Sequence, residues 1–185
     1  MIPFRALPAI LLACASLACS AEVDLEALAK ETEVAAAASA KDKATPEIIM
    51  AKTREAAALL EKDGDAAFDK FRGKDSPFVF CGTYVSVYDA NAVVLFQPIK
   101  YKLVGKSLAD LRDANGKQFM VDIMNVAKEK GEGWVDYVWP KPGEKTPSYK
   151  VGFIKKAVHG DKTYVINIGT NDLTPEQGAK LVAGK

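Results

Sequence analysis

Histidine occurs once in these 185 residues, at His159, and cysteine three times, at Cys14, Cys19 and Cys81. A lone histidine cannot build a zinc site or a hydrolytic triad without partners at ligand or nucleophile spacing, and none accompany it. His159 is followed by Gly160-Asp161 between two β-rich runs, the setting of a solvated turn. Cys81 stands alone in the interior of the sequence, so an intramolecular disulfide between interior cysteines is excluded and stability must come from a packed core. It lies in an apolar run with no histidine or basic neighbour, which reads as a buried, inert thiol. Blocks of one charge are also missing. The 25 Lys and Arg balance 24 Asp and Glu, and no basic cluster is interleaved with aromatics, which argues against a nucleic-acid partner. After the first twenty or so residues no segment is apolar enough to span a bilayer.

Short motifs that suggest chemistry do not hold up. Gly105-Lys106-Ser107 lacks the upstream glycine of a phosphate-binding loop. Asp113-Ala114-Asn115-Gly116 lacks the later acidic ligands of a calcium loop and reads as a turn opening a helix. Asp110 and Asp113 stand near a helix start, where carboxylates are favoured without any catalysis. The expectation is a protein that is not an enzyme and needs no metal or cofactor.

The N-terminus is distinctive. Arg5, an apolar run from Ala6 to Ala18 and then small residues form a secretory signal over residues 1–21, which implies a periplasmic chain beginning near Ala21 or Glu22. "SLAC" ending at Cys19 is the alternative, a lipid-attachment site that would anchor the chain to a membrane; "LLAC" ending at Cys14 leaves a shorter signal. Removing 1–21 takes away Arg5 alone among the charged residues, so the mature chain carries no formal net charge.

Residues 22–45 read as a helical N-terminal segment rich in Ala, Glu and Lys. A single domain follows over 46–185. Thr45 as N-cap, Pro46 at the first helical position and Gly64 as C-cap delimit its first helix. A short helix follows over Asp65–Phe71. Phe78–Tyr88 and Val93–Phe96 read as a hairpin around Asp89-Ala90-Asn91. A helix is expected over Lys117–Lys130, strands over Gly133–Trp139, Tyr149–Val158 and Lys162–Ile168, and a last helix from Thr174 with Gln177 at capping-box spacing. The fold class is α+β: long helices, then a five-stranded antiparallel sheet with a helical insertion after the second strand.

Strand alternation puts Val135, Tyr137 and Trp139 on one face of the third strand and Trp134, Asp136 and Val138 on the other. Two large amphipathic rings therefore share a face. A core wall is one use for them; the lining of a binding pocket is another.

"TYVSVYDANAVVLFQP", "LVGKSLADLRDANGKQF" and "KGEGWVDYVWPKPGEKTPSYK" resemble, in order and spacing, the single Cache domain (sCache_2-like) family of bacterial extracellular sensors, over about Ile48–Ile168. The resemblance implies a long N-terminal helix packed on a PAS-like five-stranded antiparallel sheet that encloses a small pocket with its helical insertion, and ligands such as acetate, propionate, lactate or pyruvate. It assigns the pocket walls to Tyr84, Ser86, Tyr88, Phe96, Tyr137 and Trp139, with Lys150 returning across the hairpin from Trp139 to pair with a carboxylate. Trp134 is left to packing against the long helix. Two departures stand out. Where the family often has histidine before the proline after the second strand, this sequence has Phe96-Gln97-Pro98, and the flanking membrane helices and cytoplasmic module of most members are not in the 185 residues. The function implied is periplasmic sensing of a small organic acid, reported to a separate membrane sensor kinase, chemoreceptor or transporter. The alternative is an interaction protein whose pocket is closed by its own side chains.

Overall fold

A computed structural model describes residues 24–184, so the proposed signal and both of its cysteines lie outside the described residues. Helix α1 spans Leu25–Ser39, with the Asp24 carboxylate accepting from the amides of Glu26 and Ala27. Helix α2 spans Pro46–Asp63 between the caps expected of it. The Thr45 hydroxyl accepts from the Ile48 amide, and Gly64 turns the chain at φ 57°. A 3-10 helix over Gly64–Phe71 stands where a short helix was expected.

The sheet holds β1 (Val85–Tyr88), β2 (Val94–Phe96), β3 (Glu132–Pro140), β4 (Pro147–His159) and β5 (Lys162–Thr170), antiparallel throughout in the order β2-β1-β5-β4-β3. Helix α3 (Phe119–Glu129) belongs to the insertion between β2 and β3, and α4 (Pro175–Val182) closes the chain with the Thr174–Gln177 capping box in place.

Two cores form because the central strands alternate. On one face, α2 brings Ile49, Ala56 and Leu60 against Val85, Val87, Phe153, Ile166 and Ile168. On the other, α3 brings Phe119, Met120 and Ile123 against Tyr88, Val135, Tyr137, Ile154 and Val165. Helix α1 buries only Ala29, Thr32 and Ala36. It is held at discrete points, among them the Gly73 amide donating to the Thr32 hydroxyl at 2.8 Å.

The first strand is shorter than expected, and the difference lies at Phe78–Tyr84. Phe80 and Thr83 exchange both backbone hydrogen bonds across a tight turn in which Cys81 has φ 46° and Gly82 φ 70°. Two successive left-handed residues reverse the chain, so alternation cannot run through them. A Cβ at Gly82 would lie 3.0 Å from that of Ala40, so the turn also needs glycine for its approach to the end of α1. Cys81 consequently sits half-buried at a turn, where burial raises its thiol pKa.

Trp134 packs on the α2 side, its ring 5.0 Å from that of Phe153 in an edge-on arrangement. Trp134→Ala is expected to destabilise the protein by about 3 kcal/mol, the lower end for emptying a large aromatic site, because the ring is only partly buried. Chemical denaturation measures this. An unchanged midpoint would show that the ring contributes nothing to the α2 core.

Candidate ligand-binding site

The face of the sheet opposite α2 carries a run of polar side chains over its centre. Tyr137 of β3 lies directly across from Lys150 of β4, and Ser86 of β1 across from Asn167 of β5. Lys150 was expected opposite Trp139, but the register puts Ser148 there. Gly152 and Gly169 face each other between β4 and β5. A Cβ at Gly152 would fall 2.2 Å from Asn167 Oδ1, and one at Gly169 would fall 2.8 Å from Lys150 Cε and 2.9 Å from the Tyr137 hydroxyl. The paired glycines leave a bare strip of sheet, and the Lys150, Tyr137 and Asn167 side chains lie across it.

Above this floor, Tyr84, Tyr88, Trp139, Leu103, Leu108 and Phe119 enclose a cavity of about 30 Å³. The insertion between β2 and β3 thus roofs the site, and the Phe119 ring stacks on Tyr137 at 4.9 Å. At about one water per 10–15 Å³, the cavity has room for roughly two waters, which sets a guest at a few heavy atoms.

Lys150 is 3% exposed. None of the ion pairs among the described residues includes it. Its ammonium lies 5.0 Å from the centre of the Tyr84 ring. Burial, and then the positive charge of Lys100, bring its pKa down to about 8. Lys100 itself rests on Trp139, its Nζ 4.4 Å above the indole. Burial raises the pKa of all three cavity tyrosines, that of Tyr88 to about 12, so their hydroxyls remain protonated at neutral pH. Asn167 Nδ2 donates to the Tyr137 hydroxyl at 2.9 Å, while its Oδ1 is buried with no partner among the described residues. Gln97 Nε2 donates to Ser86 Oγ at 3.3 Å, and Gln97 Oε1 accepts from the Ile99 amide.

Of the residues expected to line a pocket, Tyr84, Ser86, Tyr88, Tyr137, Trp139 and Lys150 come together here. Phe96 does not, which corrects the expectation. Val87 pairs with Phe96 and Tyr88 with Val94, so Leu95 is an extra residue in β2 and the strand's alternation shifts by one. Phe96 turns to the α2 side, stacked 5.1 Å from Phe68, and Gln97 takes the cavity side. Asn167 and Gly169 were missed as site residues. Their signal was present in β5, where "VINIG" interrupts an otherwise apolar run at alternate positions.

The Cache domain family model matches residues 76–171, slightly more than half of the chain. A methyl-accepting chemotaxis protein, McpP, of Pseudomonas putida is 29% identical over 72 residues, which are 39% of this chain and 13% of that protein. The matched stretch is thus a small part of its curated relative's length. Among solved structures, a methyl-accepting chemotaxis protein from Vibrio parahaemolyticus aligns with a TM-score of 0.55 and 20% identity, covering 78% of this chain and 96% of that one. It shares the fold. A periplasmic sensor domain of a chemotaxis protein aligns at 25% identity with a TM-score of 0.45, over 80% of this chain and 89% of that one.

The buried Lys150 makes the site costly to fold. Its pKa falls from the ordinary 10.5 to about 8, so between those values the unfolded chain holds a proton that the folded one has released, and stability rises with pH across that window. Below about pH 8 the penalty is fully present, about 3 kcal/mol at 1.36 kcal/mol per pH unit. Lys150→Met is therefore expected to stabilise the ligand-free protein by that order at pH 7, with the advantage shrinking toward pH 10.5. Denaturant midpoints of both proteins at pH 7 and pH 10 test it; an equally stable or weaker Met variant at pH 7 contradicts the assigned burial cost.

Proposed function

The chain belongs to the Cache domain family, and on that premise we propose that it is an extracytoplasmic sensor module whose cavity captures a small monocarboxylate. The observation that carries the reading is Lys150, a buried ammonium without a carboxylate partner among the described residues, facing a cavity of few-atom size. An anion entering there supplies the missing charge, and in a partly dry site that contact is worth more than in water. The protonated tyrosine hydroxyls and the Gln97–Ser86 pair add neutral donors around it. The exposed Lys100 at Trp139 places a second positive charge nearby, which favours approach of anions over cations. Roofing by apolar side chains restricts the guest to a short carbon chain.

A thermal-shift screen against formate, acetate, propionate, lactate and pyruvate tests the reading, since a ligand that binds only the folded state raises its stability by mass action. With the best of these in a calorimetric titration, Lys150→Met is expected to lose roughly 2–5 kcal/mol of affinity, the range for removing one partner of a desolvated charge pair. Lys150→Arg weakens binding as well, because a planar fork does not replace a point charge in so small a space. If no carboxylate shifts the transition, the closed-pocket interaction protein becomes the better account.

The sensing domain is assigned to 46–185, led by the helical segment 22–45, and the signal to 1–21. Occupancy would then be reported through a separate membrane protein, a chemoreceptor, sensor kinase or transporter. Intact-mass measurement of the protein from a bacterial envelope fraction is expected to give a chain starting near Ala21 or Glu22, or a lipidated Cys19. A chain retaining Met1 in the cytoplasm would refute export.

A further inference from the structure

The carboxylate reading uses Lys150 as a cation, but the same surroundings prepare its nitrogen for a second role. Charged side chains that are fully buried are ordinarily paired. The groups around Lys150 are instead neutral: the tyrosine hydroxyls, Ser86, Gln97 and Asn167. The charge acting on it is that of another cation, Lys100. Desolvation and a neighbouring positive charge both favour the free amine, and these are the two settings in which lysines act as nucleophiles toward carbonyl compounds.

The glycine floor supplies the geometry. A single point, the place of the absent Gly169 Cβ, lies 2.8 Å from Lys150 Cε and 2.9 Å from the Tyr137 hydroxyl. The Tyr137 oxygen already accepts from Asn167 Nδ2, which leaves its own proton to donate elsewhere. Lys150 and Tyr137 therefore pack side by side over the glycine floor and both line the cavity, as does Asn167, whose Oδ1 is a buried acceptor with no partner among the described residues.

We propose that Lys150 Nζ forms a reversible imine with a small aldehyde or 2-oxo acid that enters this cavity. The inference rests on the cavity's being a ligand site. The unprotonated Nζ adds its electron pair to the carbonyl carbon, the carbon–oxygen π pair moves to oxygen, and that oxygen takes up a proton as the nitrogen gives one up. The resulting carbinolamine loses its hydroxyl, with a further proton, as water. A carbon–nitrogen double bond replaces the carbon–oxygen one, so amine and carbonyl give imine and water with no oxidant or reductant. Tyr137 is the donor placed to protonate the departing oxygen, and Asn167 Oδ1 accepts from the adduct's N–H or O–H.

The test treats the purified protein at pH 7.5 with pyruvate, glyoxylate or propanal, each with sodium cyanoborohydride, followed by intact mass and peptide mapping. A reduced adduct on Lys150 is expected, formed at least about tenfold faster than at the other lysines, since a depressed pKa multiplies the free-amine fraction more than it lowers nucleophilicity. Lys150→Met loses that adduct, and Tyr137→Phe slows it. Labelling of Lys150 no faster than the surface lysines overturns the proposal, and needs no variant to fold. Propionate, which has the carboxylate but no reactive carbonyl, separates the two readings. If it raises the melting temperature while the carbonyl compounds leave Lys150 unmodified, the anion pocket stands and the imine falls. If Lys150 is labelled and propionate has no effect, the imine stands without the anion site. Failure of both removes the cavity as a ligand site.

Discussion

The desolvated ammonium of Lys150 is the constraint around which the cavity side of this sheet is organised. Withdrawing a charge from water without a counter-charge is among the largest local penalties a fold can carry. The sheet accommodates it in a specific way. Gly152 and Gly169 remove two side chains from the floor, the lysine stem lies over the gap, and the polar groups around it are neutral donors and one open acceptor. No carboxylate from the neighbouring strands satisfies the charge among the described residues. A site that kept its lysine paired internally would have to break that pair before binding an anion.

What holds such a site in place is the other face of the same strands. Phe153 follows Gly152 on the α2 side, while Ile166 and Ile168 flank Asn167 in the same manner, all three buried. Each central strand therefore anchors its site residues through immediate neighbours packed in the α2 core. Side chains on rigid, well-packed strands are held to a narrower range of positions than side chains on loops. The two cores thus have different roles: the α2 core supplies the hydrophobic stabilisation, and the α3 side encloses the polar floor.

Gln97 stands where the site meets the rest of the molecule. Its amide contacts Ser86 in the cavity and the backbone of the roofing segment, and the same residue lines a cleft of about 210 Å³ beneath α1 together with Leu25, Leu28, Pro98 and Tyr101. The Tyr101 hydroxyl, in the segment that follows, donates to Glu26 of α1 at 3.2 Å. Cavity wall and outer helix are therefore separated by a few residues of chain rather than by a layer of core.

Local chemistry in the sequence was enough to determine the helices and the longer strands. Thr45, Pro46 and Gly64 delimit α2 because caps act on their own backbone, and Thr174 with Gln177 does the same for α4. Alternation over "WVDYVW" separated Tyr137 and Trp139 from Trp134 correctly, since β3 runs without a break. The same rule failed at Phe96, because one extra residue at Leu95 reverses the faces of everything after it, and at Phe78–Tyr84, because Cys81 takes a left-handed conformation that its side chain does not announce. Pairing register and burial were decided only by the tertiary structure. Nothing near Lys150 in sequence distinguishes a surface lysine from a buried one; its state depends on Tyr137 across the strand pair, Gly169 beside it and the Tyr84 ring against its ammonium, which only the folded sheet brings together.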